Sequence, residues 1–155
     1  MTTMHKLALL LLLALLTACG SAPARNDSTR NEHMNDLVMY AMSLAETPYR
    51  YGGSNARSGF DCSGYVGHVY REVLDISLPR TTGEISHIGE ALRQSELRPG
   101  DLVFFNTRRR PFSHVGIYVG ERKFVHSPKT GDRIRVENME LNYWKSRYNG
   151  ARRVY

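Results

Sequence analysis

The stretch Gly59-Phe60-Asp61-Cys62-Ser63-Gly64-Tyr65-Val66 sets one cysteine between turn glycines, at the start of an apolar helical pattern. Two histidines follow on strand-like segments, His114 in Ser113-His114-Val115-Gly116 and His126 in Phe124-Val125-His126-Ser127. A thiol with later histidines is the residue set of a cysteine nucleophile and its general base. Asp61 or Ser63 can cap a helix, and a thiol in the first helical turn feels the positive end of the helix dipole. That favours thiolate, the nucleophilic form. The same residues have plainer uses. Cys62 suits a small core position, and His114 suits a satisfied polar residue opening a strand. Cys and His also ligate zinc, but the chain has no C-x-x-C or H-x-x-x-H spacing and no clear fourth ligand. No metal or other cofactor is expected.

The positioning elements read as helices first and strands afterwards. Met34, Leu37, Val38, Ala41 and Leu44 or Ala45 follow a 3.6-residue period that Pro48 ends. A glycine-rich loop runs from Tyr49 to Gly59. Val66, Val69, Tyr70 and Val73 mark one face of a second helix starting near Cys62. Thr81 and Glu84 have capping-box spacing for a short third helix carrying Ile85 and Ile88. Asp101–Phe105, His114–Val119, Phe124–His126, Ile134–Val136 and Ala151–Tyr155 read as strands, with a hairpin turn at Gly120–Lys123. This order predicts an α+β domain over residues 34–155, with N-terminal helices packed on a C-terminal antiparallel sheet.

The front of the chain points to export. His5 and Lys6 precede an unbroken apolar run, Leu7–Leu16. The run fits the roughly 7–15 residues of a signal-peptide core and falls short of the roughly 20 that span a bilayer. Residues 1–18 therefore read as a signal peptide. Leu16-Thr17-Ala18-Cys19-Gly20 resembles a lipoprotein processing site, with Cys19 as the lipidated residue. Gly20 after it resembles the pattern sorted to the periplasmic face of an outer membrane. Several acyl chains would make such an anchor stable, where one binds marginally. Residues 19–33, polar and without apolar periodicity, read as a flexible tether. The chain has only two cysteines. Lipid on Cys19 leaves Cys62 without an intramolecular disulfide partner, and an unpaired thiol in an exported protein is a candidate reactive group. The net charge is +6. Export argues against nucleic acid as its partner and leaves a cell wall or membrane surface.

The segments PYRYGG, FDCSGYV, LPRTT, LRPGDLVFF, HVGIYVG, FVHS and YWKSRYNGARRV occur in this order. Together they resemble the NlpC family of bacterial cell-wall cysteine peptidases, over about Leu37 to Val154. The resemblance implies a papain-like fold and hydrolysis of peptide bonds in peptidoglycan without a metal. It puts the nucleophile on Cys62, the general base on His114 and the orienting residue on His126. The tyrosine that assists the oxyanion hole falls on Tyr49, which fits P-Y-x-x-G-G, or on Tyr51. Asp61 and Ser63, besides capping, would border the peptide subsite. The bond it implies is the D-alanyl–diaminopimelate cross-link, the alternative being γ-D-glutamyl–diaminopimelate. A catalytically silent wall-binding lipoprotein is the non-enzymatic alternative. A monomer is expected. Arg108, Arg109 and Arg110 read as a solvated loop that can also attract stem carboxylates. His33, His68 and His87 have no assigned role.

Overall fold

The computed structural model describes residues 24–155, with side chains from residue 28 onward. Residues 1–18, read as a signal peptide, and Cys19 lie outside the described residues. Residues 31–155 pack as one unit.

Helix α1 spans Ala24–Ser43. It starts well before Met34, inside the stretch read as a tether. Ser28 to His33 are all exposed, and only from Met34 does the buried stripe of Met34, Leu37 and Ala41 begin. Apolar periodicity gave no signal for those first turns. Once the stripe is docked, each added helical residue is a propagation step, far cheaper than nucleation. The helix closes at Ser43, ahead of Pro48.

Helix α2, Cys62–Leu74, buries Tyr65, Val66, Val69 and Tyr70 on one face and ends at Asp75 in the left-handed conformation (φ 55°). The Tyr65 hydroxyl donates to the Ala41 carbonyl at 2.8 Å and ties α2 to α1. The expected capping box is present. Thr81 and Glu84 satisfy each other's backbone N–H at the start of α3, Thr82–Ile85. Ile85 is buried, while Ile88 falls in the turn beyond it.

The strands are β1 (Ser54–Asn55), β2 (Gly59–Phe60), β3 (Glu90–Leu92), β4 (Leu102–Phe105), β5 (His114–Gly120), β6 (Lys123–His126), β7 (Arg135–Asn138) and β8 (Tyr148–Arg153). β1 and β2 form a small hairpin. The others form one antiparallel sheet in the order β3-β8-β4-β5-β6-β7. β8 runs earlier than the expected Ala151–Tyr155. The short strand β3 and a one-turn helix α4, Asn142–Lys145, were not legible in the apolar pattern. The all-buried run Leu102–Phe105 is a strand covered on both sides. Leu102 and Phe104 join Val115, Ile117 and Val125 under α1 and α2. Val103 and Phe105 join Tyr118, Phe124, Met139 and Trp144 on the other face.

A buried ion pair locks the end of the chain to the sheet. Asp101 is fully buried and accepts two bonds from the Arg153 guanidinium, at 2.7 and 2.8 Å. It also accepts from the Arg98 N–H at 2.7 Å and the Tyr155 hydroxyl at 3.0 Å. Removing one partner of such a pair strands a buried charge. Arg153→Met is expected to destabilise the protein by about 3 kcal/mol, measured by urea unfolding. A loss below about 1 kcal/mol, the range of a surface pair, would contradict this account.

Candidate active site

Asp61 organises the start of α2. It is the N-cap, and its Oδ1 accepts from the Gly64 N–H at 2.8 Å and the Ser63 hydroxyl at 3.2 Å. Its Oδ2 accepts from the Gly52 N–H at 3.0 Å, which draws the glycine-rich loop onto the helix. Arg80 then grips the same carboxylate with both guanidinium nitrogens, at 3.0 and 2.7 Å, and donates to the Ser63 hydroxyl at 2.8 Å. Sequence reasoning gave Arg80 no role; its only signal was its place in LPRTT. Gly64 has no alternative here. A Cβ at that position would sit 2.0 Å from the Gly53 carbonyl oxygen.

The cap makes Cys62 the first helical residue, partly exposed. The Val115 and Ser63 backbone N–H groups lie beside its thiol and favour its charged form. The start of α2 therefore abuts the start of β5, beside His114. The helix-dipole argument predicts a lowered thiol pKa, and the structure reverses it. Burial raises the pKa, the Asp61 carboxylate raises it further, and the two nearby N–H groups and the Arg108 charge offset only part.

His114 and His126 lie on the sheet face opposite the one that α1 and α2 cover. His114 opens β5 opposite Phe105, and His126 closes β6. His114 Nε2 and His126 Nδ1 are 2.7 Å apart. Gly116, two residues along β5 from His114, leaves room on that strand for the side chains of β6. A Cβ there would meet Phe124 Cδ2 at 2.7 Å, the Val125 carbonyl oxygen at 2.9 Å and His126 Cβ at 3.2 Å. Trp144 of α4 floors the pair, stacked on His114 at 5.8 Å and edge-on to His126 at 5.0 Å. Burial, with the Arg108 charge second, lowers the His114 pKa to about 3. Burial, then His114 and Arg135, lowers His126 well below the usual imidazole range. His126 Nε2 is buried with no hydrogen-bonding partner among the described residues.

Tyr49 is buried, and its backbone N–H donates to the Asp132 carbonyl at 2.9 Å. Burial, then the nearby Cys62, raises its hydroxyl pKa, so the phenol keeps its proton. Arg108 donates to that hydroxyl at 3.4 Å. Tyr51 is 77% exposed, which separates it from Tyr49. Cys62, His114, His126, Tyr49, Asp61 and Ser63 thus belong to one neighbourhood, joined by Arg80 and Arg108. Among the described residues, no three His, Cys, Asp or Glu side chains converge as metal ligands would. The 2.7 Å contact between the histidine nitrogens is a hydrogen bond.

The fold is the papain-like α+β fold, and the chain belongs to the NlpC/P60 family, matching it over residues 46–153. It is 49% identical over 110 residues to the murein DD-endopeptidase MepH of Escherichia coli strain K12, covering 69% of this chain and 41% of that protein. It is 45% identical over 106 residues to the murein DD-endopeptidase MepS/murein LD-carboxypeptidase of the same strain, covering 68% and 55%. A crystal structure of an NlpC/P60 family protein from Bacillus cereus superposes with TM-score 0.72 at 30% identity, covering 77% of this chain and 39% of that one. The chain thus spans about half the length of the curated relatives it matches.

The depressed imidazoles carry a stability consequence. Below about pH 6.5 the unfolded chain binds protons that buried His114 refuses until about 3, so stability falls as pH drops through that window. One such group contributes up to about 1.4 kcal/mol per pH unit. His126 acts in the same direction. Urea unfolding between about pH 6.5 and 4.5 should show a shallower pH dependence for His126→Gln than for the wild type. Equal slopes would mean that the ring is already charged in the folded protein.

Proposed function

We propose that this chain is a peptidoglycan endopeptidase that hydrolyses D-alanyl–diaminopimelate cross-links by a Cys-His-His mechanism. The observation that carries the reading is the junction of α2 and β5. There the Cys62 thiol lies beside the Val115 backbone N–H, next to a His114 whose Nε2 is held by His126. The endopeptidase names of the relatives support it.

The resting pair is neutral, a thiol and an imidazole, because burial disfavours both charged forms. His114 Nε2 is committed to His126, which leaves Nδ1 for the thiol. For Nδ1 to accept a proton, Nε2 must carry its own hydrogen and donate it to His126 Nδ1. His126 thus selects the tautomer and steadies the imidazolium that forms, as the third member of a triad does. Proton transfer accompanies attack of sulfur on the scissile carbonyl carbon. The Cys62 N–H and the Tyr49 hydroxyl receive the developing oxyanion. His114 returns the proton to the leaving amine. Water, activated by the same imidazole, then hydrolyses the thioester. Asp61 and Ser63, held by Arg80, border the peptide on the helix side.

Incubation with defined cross-linked stem dimers should release monomeric stems, read by mass spectrometry. Shortened stems with the bridge intact would instead select the γ-D-glutamyl–diaminopimelate bond. Cys62→Ala should abolish release while keeping the native circular dichroism. His114→Ala should lose about 10²–10⁴-fold and His126→Ala less, since His126 moves no proton to substrate. Cleavage by folded Cys62→Ala protein would defeat the peptidase reading and favour a silent wall-binding role.

We also propose that Cys19 carries lipid and anchors the domain, as a monomer, to the periplasmic face of the outer membrane. The Leu16-Thr17-Ala18-Cys19 segment supports this. Cys19→Ser should move the protein from the membrane to the soluble fraction with unchanged turnover in solution. A wild-type protein with no lipid by mass spectrometry would refute the anchor.

A further inference from the structure

A cavity of about 390 Å³ opens beside the candidate catalytic pair, with His114 and Trp144 in its wall. Its charged lining is Arg108, Lys129, Arg135, Asp132 and Glu137. Arg135 already holds both acids, Asp132 at 3.2 Å and Glu137 at 2.8 Å. Among the described residues, neither Arg108 nor Lys129 has a carboxylate partner. The cavity therefore presents two cations without a carboxylate partner, in a wall shared with His114.

Arg108 is not a free-swinging surface arginine. Its backbone N–H and that of Thr107 both donate to the buried Ser113 hydroxyl, at 3.1 and 2.9 Å. The far end of the loop is held by Phe112, whose N–H donates to Asn149 Oδ1 at 3.0 Å and whose ring packs edge-on against Phe104. The loop turns sharply between these anchors, with Arg109 and Phe112 at positive φ (56° and 51°). Non-glycine residues persist in that conformation only where their surroundings impose it. The guanidinium so placed reaches the Tyr49 hydroxyl at 3.4 Å and lies 6.0 Å from the Tyr51 ring centroid. It bridges the oxyanion side of the site and the cavity.

We propose that Arg108 and Lys129 form a carboxylate-binding subsite in this cavity, through which the enzyme selects peptide stems carrying a free carboxylate close to the scissile bond. The inference rests on the peptidase reading and adds which stems are cut. A planar guanidinium matches a carboxylate in two-point geometry, and Lys129 adds a compact second charge. An amidated stem offers the cavity no negative charge and leaves both cations unmatched.

The test uses the full chain and cross-linked stem dimers that differ only in a free or amidated carboxylate on the diaminopimelate next to the scissile bond. The wild type should prefer the free acid by about tenfold in kcat/KM, the worth of one charge-assisted hydrogen bond, with the difference mainly in KM. R108Q and K129Q should each shrink that preference severalfold, and R108K should restore part of it. K129Q is the independent check, since Lys129 has no contact with Tyr49 that its loss would disturb. Equal wild-type cleavage of both dimers, or a preference unchanged in both glutamine variants, would overturn the subsite and leave the peptidase reading standing. Failure of the wild type to cut either dimer would overturn both.

Discussion

One carboxylate decides where the candidate nucleophile stands. Asp61 closes the first turn of α2, draws in the Gly52-Gly53 loop and takes the bidentate grip of Arg80. A capping bond alone is worth about 1 kcal/mol, and charge-assisted bonds are stronger. The position has an electrostatic cost, because a carboxylate next to a thiol opposes thiolate. Arg80 offsets that cost by compensating the same charge. The glycine pair completes the arrangement: with Gly53 and Gly64 in direct approach, loop and helix close to a distance no side chain permits.

The second half of the site is built on the opposite principle. Nothing local brings His114 to His126. They meet because β5 and β6 are neighbours in register, Ile117 opposite Val125 and Tyr118 opposite Phe124, with Gly116 of β5 leaving room beside His126. The aromatic floor of Phe105, Phe124 and Trp144 buries both rings, and burial favours their neutral forms. A buried neutral imidazole is a reluctant base, and its tautomer is set by the hydrogen bond its other nitrogen makes.

Much of this was legible along the chain. The capping box at Thr81–Glu84, the helix start at Asp61-Cys62 and the buried run Leu102–Phe105 are local signals, each set by contacts within a few residues or by apolar period. The ordered motifs from PYRYGG to YWKSRYNGARRV identified the family and, with it, the fold. The first turns of α1, the strand β3 and the one-turn helix bearing Trp144 were not legible. The exposed turns of α1 are added by propagation from the docked stripe, while β3 and the one-turn helix are stabilised by docking, and an apolar pattern records neither.

By itself, the sequence determined the residue types available for chemistry, the order of helices before strands, and a thiol flanked by two candidate caps, Asp61 and Ser63. The tertiary structure decided what those residues become. It raised the pKa of the Cys62 thiol that the helix dipole would lower, since desolvation and Asp61 outweigh the neighbouring N–H groups of Val115 and Ser63. It set Tyr49 inside and Tyr51 in solvent, though the two stand in one loop. It gave Arg80 its carboxylate and brought Arg108 to Tyr49 across 59 residues of chain. Each of these is a balance of burial against long-range partners, and such partners are chosen only when the chain has folded.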